Sequence, residues 1–377
     1  MQRNLRSYTT HDLILMLLKG LPVKTLARFL CVSKEYNSII RNRDFMKSYL
    51  IKSSTPPQSL IFTFEGMSSF KHFFFSSPQT QNQGESSSVA TYLMECDHIW
   101  DTTVGPSVHG LICYGTPSEL KVYNPSTRRS ITLPKIDSHR VDMHHYLGYD
   151  PINGDYKQAL LCMMKGMYIE RRRGSAQELR VLTLGKEDSW RMVEDFPPHS
   201  LGRPDFTDIC IAGVLYYVAF LDNYRSGYAI MSFDVRSEKL DLIKGPDPDM
   251  SPKLTSYEGK LAVLFAGMAE YRIHLWVLED GAKHEWSKRS YVLPTIDGYD
   301  YFYFHPFCAN DSGELILAPD MCSSRPFYVL YYHPKKNSVR RVYIEGLRQP
   351  NVQLWDKDSQ HNIVSVFSGQ VDSLMCL

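Results

Sequence analysis

No Cys-x-x-Cys pair occurs among the eight cysteines, at positions 31, 96, 113, 162, 210, 308, 322 and 376. That spacing excludes a zinc ribbon, and the cysteines are too sparse for the disulfide framework of a small secreted domain. They read as buried free thiols of a reducing compartment, cytoplasmic or nuclear. Long hydrophobic runs are missing as well. The stretch Leu13–Leu18 has six residues, far short of the roughly 20 that cross a bilayer, and it lacks the flanks of a signal peptide. No membrane partner is therefore expected. Glycine (22) and proline (21) stand near average usage, which excludes a collagen-like chain or a long low-complexity linker. Charge of one sign is lacking overall, with a net charge of +1 at pH 7.

What is present is a chain of 377 residues, 43% hydrophobic, long enough to bury a sizeable core in more than one domain. Aromatic content is high, at 24 Tyr, 18 Phe and 5 Trp, and favours pleated sheet. The small net charge hides an asymmetry. Residues 1–52 hold ten Lys/Arg against three Asp/Glu, whereas the rest hold 32 against 38. A basic N-terminal segment on a slightly acidic body is expected to meet an acidic surface.

The first fifty residues have helical periodicity. Asp12 is placed to cap a helix whose apolar face is Leu13, Leu17, Leu18 and Leu21. Gly20 closes it, and Pro22 suits the first turn of a second helix carrying Val23, Leu26, Ala27, Phe29 and Leu30. Ser33 can cap a third helix with Tyr36, Ile39 and Ile40 on its apolar side, and Asp44 a fourth from Phe45 to about Ile51. Thr55-Pro56-Pro57 forbids further helix. So short a helical segment cannot bury its apolar groups alone, so a partner is expected.

These residues resemble a family. Asp12-Leu13, Leu17-Leu18, Leu21-Pro22-Val23-Lys24, Leu26, Arg28-Phe29, Cys31-Val32-Ser33-Lys34, Ser38-Ile39-Ile40 and Phe45 are collinear with the F-box of plant F-box proteins. Leu60–Glu65 and Phe73–Gln79 resemble the opening of the F-box-associated domain of the same proteins. The chain departs from the pattern at Thr9-Thr10, where Leu/Ile-Pro is usual, at Met16 in place of glutamate, and at Tyr36 in place of tryptophan. The resemblance implies a helical F-box over 8–52, a linker over 53–59 and a β-domain over 60–377. It implies docking on an acidic Skp-type adaptor, and through it on cullin and RING subunits, by Leu13, Leu17, Leu18, Leu21, Pro22, Val23, Leu26, Phe29, Val32, Tyr36, Ile39 and Ile40. Some of these must hold the helices together rather than touch the adaptor.

In the remaining three hundred residues, Gly110, Gly154, Gly213, Gly259 and Gly313 each open a short apolar strand, at intervals of 44, 59, 46 and 54. A second strand, a polar turn and a third strand follow each, as in Leu120–Tyr123, Asn124-Pro125-Ser126-Thr127 and Ile131–Leu133. A hairpin unit recurring near fifty residues is the period of kelch-like propeller blades. A sixth sheet is expected to join Leu60–Phe64 and His72–Phe75 to strands around Ile363–Phe367, tying the ends of the domain together. The fold class expected is thus α+β multidomain, a helical module followed by a propeller of about six blades, with a two-sheet sandwich as the alternative.

No nucleophile elbow, His-Glu-x-x-His, P-loop or dinucleotide fingerprint occurs. Gly105–Gly110 has the wrong spacing for an elbow and reads as a turn. Cys96-Asp97-His98 and His144-His145 lack partners at zinc-like spacing. Arg171-Arg172-Arg173 with Lys165 reads as a solvated loop, Gly245–Asp249 and Asn310-Asp311-Ser312 as turns, and Gln81–Ser88 as a polar flexible loop. No cofactor, metal, catalytic residue or nucleic-acid partner is expected. The function expected is a non-catalytic adaptor that recruits a target protein to a ubiquitin ligase. The alternatives are a propeller-fold enzyme and an F-box-like binder without ligase function.

Overall fold

The computed structural model describes residues 10–55, 58–66, 70–79, 86–97, 103–116, 119–136, 142–163, 176–201, 208–220, 228–246, 252–267, 272–294, 304–319, 321–322, 326–347 and 362–375. Four helices come first: α1 (Thr10–Gly20), α2 (Val23–Phe29), α3 (Lys34–Ile40) and α4 (Arg43–Ser53). Every later element is a strand.

β1 (Ser59–Gly66), β2 (Lys71–Pro78), β3 (Ser86–Val89) and β4 (Thr91–Asp97) open the β-domain. β5 (Thr103–Val104), β6 (Ile112–Thr116), β7 (Glu119–Asn124) and β8 (Arg129–Thr132) form one sheet in chain order. So do β9 (Asp142–Asp150), β10 (Asp155–Met163), β11 (Ala176–Thr183) and β12 (Arg191–Val193). In the next sheet β13 (Ser200–Leu201) and β14 (Ile209–Ile211) both pair with β15 (Val214–Phe220), followed by β16 (Tyr228–Asp234) and β17 (Leu240–Lys244). β18 (Lys253–Tyr257), β19 (Lys260–Gly267), β20 (Arg272–Asp280) and β21 (Glu285–Val292) follow. The fifth consecutive sheet has β22 (Phe304–Ala309), β23 (Leu315–Pro319), β25 (Tyr328–His333) and β26 (Ser338–Glu345), with β3 added in parallel at its edge. β24 (Met321–Cys322) leaves it to pair with β27 (Asn362–Gln370). β27 pairs antiparallel with β1, from Gly66↔Asn362 to Ser59↔Gln370, so the sixth sheet runs β24-β27-β1-β2-β4 and joins both ends of the domain.

Six separate sheets of four or five strands make a six-bladed β-propeller. The two-sheet sandwich is not formed. Six apolar clusters lie one between each successive pair of blades. Strand alternation supplies both sides of a blade. Phe62, Phe64, Phe73 and Phe75 pack toward β22–β26, while Ile61 and Phe74 pack toward β6 and β7. The aromatic excess sits in these seams, as in the edge-to-face contact of Phe64 with Phe327 at 5.4 Å and the stacking of Tyr146 on Tyr217 at 4.5 Å.

The recurring glycines mark the turn between the first two strands of each consecutive blade. His109-Gly110, Ala212-Gly213 and Glu258-Gly259 have positive φ at both central residues, the type I′ turn that matches strand twist. The turn between third and fourth strands is tied by the side chain that ends the third. Asn124 Oδ1 accepts from the Ser126 amide at 2.9 Å, Asp234 Oδ1 from Ser237 at 2.6 Å and Asp280 Oδ1 from Ala282 at 3.0 Å. Residues 86–89 correct the expectation of a polar loop over Gln81–Ser88, since they form β3, with Ser88 buried and bonded to Ser77. A cavity of about 480 Å³ is lined by residues of β14, β18, β22 and β27, by the segment 106–109, and by Ser54 and Gln58 next to the helices.

Candidate functional site

The helical module is built on local signals, two of which differ from expectation. Ser33 caps α3, accepting from the Tyr36 amide at 3.1 Å. The fourth helix, however, is capped by Asn42, whose Oδ1 accepts from Asp44 at 2.8 Å, so Asp44 sits inside the helix. Asp12 lies in the first turn of α1, not at its cap, because the helix starts two residues earlier. There its charge still favours the positive end of the helix dipole. Pro22 immediately precedes α2, and its carbonyl accepts from the amides of Thr25 and Leu26.

Packing divides the twelve apolar residues singled out in sequence. Leu18, Val23, Leu26, Ile39 and Ile40 are buried together with Phe45, Tyr49 and Leu374. Leu21, Phe29 and Tyr36 pack half-buried against that cluster, Phe29 and Tyr36 edge-to-face at 5.2 Å. Leu13, Leu17, Pro22 and Val32 are left exposed, Leu17 by 72% and Val32 by 66%. Met16, one of the departures from the family pattern, is 57% exposed. At i, i+3 and i+4 it joins Leu13 and Leu17 in one apolar strip on α1. The spacing of Met16 from Leu13 and Leu17 in the sequence already carries this signal.

The module is seated on the propeller at the end that carries the first-to-second and third-to-fourth strand turns. α4 makes the seat. Leu50 packs with Val108, Leu111 and Tyr149, Arg43 donates to the Asn153 carbonyl at 3.1 Å and pairs with Asp155, and Lys47 donates to the Ile152 carbonyl. Part of the basic N-terminal charge therefore meets this chain's own acidic turn. The segment after β27 completes the seat. Val371 is buried among the blade residues and Leu374 among the helices. Asn124 Nδ2 donates to the carbonyls of Ser373 and Met375, at 3.1 and 2.9 Å, and Ser53 Oγ donates to the Asp372 carbonyl at 2.6 Å. Nothing in the sequence of that tail announced this role.

The candidate chemical clusters do not assemble. Among the described residues no three His, Cys, Asp or Glu side chains converge as metal ligands. Burial pushes the Cys96 and Cys308 thiols up to about 12 and that of Cys210 up to about 11, which leaves them protonated and inert. Ser107 donates to Gln370 Oε1 at 2.5 Å within a turn bridged by Val108 and Leu111. His109 packs against Tyr149 with the rings tilted and their centroids 4.3 Å apart, and burial lowers its pKa to about 4. Asn310 Oδ1 accepts from Ser312 and Glu314 in the turn between β22 and β23. His98, Lys165, Arg171-Arg172-Arg173, Asp247–Asp249 and the pair Pro56-Pro57 lie outside the described residues.

Comparison with known proteins fits this architecture. The family model described as F-box associated beta propeller domain matches residues 59–371. The chain is 61% identical over 376 residues to F-box protein At2g21930 of Arabidopsis thaliana, covering 97% of this chain and 93% of that one. Putative F-box protein At4g38870 of the same plant is 44% identical over 97% of this chain and 87% of its own length. F-box protein DOR, also of Arabidopsis thaliana, is 37% identical over 89% and 88%. Solved structures align weakly, a putative TolB from Agrobacterium tumefaciens at TM-score 0.39 and 11% identity over 82% of this chain and 98% of that one. The sheet arrangement, not that likeness, carries the fold assignment. The chain belongs to the family of plant F-box proteins with an F-box associated β-propeller.

Proposed function

We propose that this protein is the substrate-recognition subunit of an SCF-type (Skp-cullin-F-box) ubiquitin ligase. Residues 8–52 act as the F-box that docks on a Skp-type adaptor, and the propeller recruits a target protein. The observation that carries the reading is the helical module itself. Its buried residues hold four helices together, yet Leu13, Met16 and Leu17 stand in water on α1, and Val32 stands exposed between α2 and α3. Apolar anchors at helical spacing are what helix-mediated docking uses. The seat made by α4 and the C-terminal tail fixes the helices against one end of the propeller and leaves the other end for the target. Such a protein works without catalytic groups of its own, by raising the effective concentration of target lysines near a charged ubiquitin-conjugating enzyme. We place it in the cytoplasm or nucleus, where adaptor and cullin would be met.

The test is capture of a purified Skp-type adaptor by the full chain. Leu13→Asp with Leu17→Asp is expected to abolish capture, since hot-spot losses run at about 2 kcal/mol or more each, roughly thirtyfold in affinity. Both side chains are exposed, so the melting temperature of the propeller is expected to stay unchanged. Capture at wild-type strength by the double variant would remove α1 from the docking surface.

A further inference from the structure

A cleft of about 550 Å³ lies at the joint between the helical module and the propeller. Four cationic side chains from four different places in the chain line it: Lys19 at the end of α1, Lys24 in α2, Lys52 in α4 and Arg128 in the β7–β8 turn. Lys24, Lys52 and Arg128 are exposed and Lys19 half-buried. Some cations elsewhere in the chain are neutralised, as Arg43 is by Asp155, Arg191 by Glu238 and Arg340 by Glu314. None of these four makes an ion pair among the described residues. Lys52 Nζ instead donates to the Lys19 backbone carbonyl at 2.6 Å, which ties it to the C-terminal end of α1.

The one carboxylate among the lining residues, Asp372, accepts from the Ser126 hydroxyl at Oδ1, 3.1 Å away, and also feels the charge of Lys24. Hydroxyls of Ser76 and Thr91 belong to the propeller wall of the cleft. A concave site in which four cations outnumber one carboxylate between low-dielectric walls focuses its field and concentrates counter-ions. Its volume falls in the range of small-molecule sites, about 300–1,000 Å³. A concave pocket between two modules fits a compact ligand better than a flat protein face does.

We infer that this joint binds a small, multiply charged oxyanion, a compound bearing several phosphate or carboxylate groups, held by Lys19, Lys24, Lys52 and Arg128. Arginine pairs with such groups through two parallel hydrogen bonds and lysine as a point charge. Because the cations belong to both modules, the ligand bridges them and stiffens the seat of the helices on the propeller. This reading does not depend on adaptor docking, which uses the exposed strip on α1.

The test is calorimetric titration of the full-length protein with tripolyphosphate and, separately, citrate at matched ionic strength. Saturable binding of at least one probe is expected, and the stronger probe identifies phosphate or carboxylate as the natural group. Lys24→Gln and Arg128→Gln are each expected to weaken binding by roughly tenfold, the loss of one charge-assisted contact. Lys24→Arg and Arg128→Lys are expected to restore it. Lys283→Gln, in the distant β20–β21 turn, is expected to change nothing. No saturable binding of either probe, or equal weakening by Lys283→Gln, would overturn the inference.

Discussion

Asp208 is a carboxyl held in an environment far from its ordinary one. It is 8% exposed, one of its carboxylate oxygens has no hydrogen-bond partner, and burial pushes its pKa up to about 7. The folded state thus holds this proton more tightly than the unfolded chain, whose carboxyl titrates near 4. The contribution is favourable at low pH and is lost as pH rises from about 4 to about 7, with an upper size of about 4 kcal/mol. Asp208→Asn keeps the shape and removes the titration. Its melting temperature is expected to exceed wild type at pH 8 and to vary less between pH 5 and 8, and an unchanged pH profile would assign that dependence elsewhere. At Leu26, fully buried among the helices, truncation to alanine is expected to cost about 2–5 kcal/mol within the helical module. Loss of helical circular dichroism at a lower temperature than the propeller transition would measure it. The sequence identified Leu26 and Leu17 alike as apolar positions at helical spacing. It could not separate them, because which side of a short helix is buried depends on three other helices and on Leu374, more than three hundred residues away.

Between elements, the seat of the helices is the feature with most consequence. Val371–Met375 lies between α4 and the blade of β5–β8, and a β-carbon on Gly110 would come within 2.6 Å of the Val371 carbonyl. Gly110 also has a φ of +85°, so Gly110→Ala is strained twice. Truncation after Gln370 is expected to release the helical module while the blades persist. Limited proteolysis would read it as faster cutting near residues 53–59, and unchanged cutting would mean that α4 alone holds the seat. The outer strands of the blades were legible in the sequence, because glycine turns and Asx turns flank them at a regular interval. The shortest first strands were not. β5 and β13 have only two residues each, and β14 has three, too few for a period of two to register. β3 escaped for a related reason. Ser-Ser-Ser-Val has the composition of a loop, and only the free edge of β26 makes it a strand.

At the scale of the whole molecule, the ring closes because β27 pairs along β1, a contact across some three hundred residues. Such closure is slow to form, since the chain must be ordered over its length before the last seam is rewarded. With the ring closed, the helices are held at one end of it. The charge asymmetry of the sequence also resolves at this scale. Arg43 is neutralised by the propeller itself, while Lys19, Lys24 and Lys52 meet Arg128 around the cleft and make no ion pair among the described residues. The exposed strip of α1 is proposed to dock a Skp-type adaptor. The most direct measurement is the affinity of the purified full-length protein for that adaptor, wild type beside Leu13→Asp/Leu17→Asp. A one-to-one complex that the double variant loses, with an unchanged melting temperature, is the result expected. No complex with the wild type, or one that the variant retains, would contradict it.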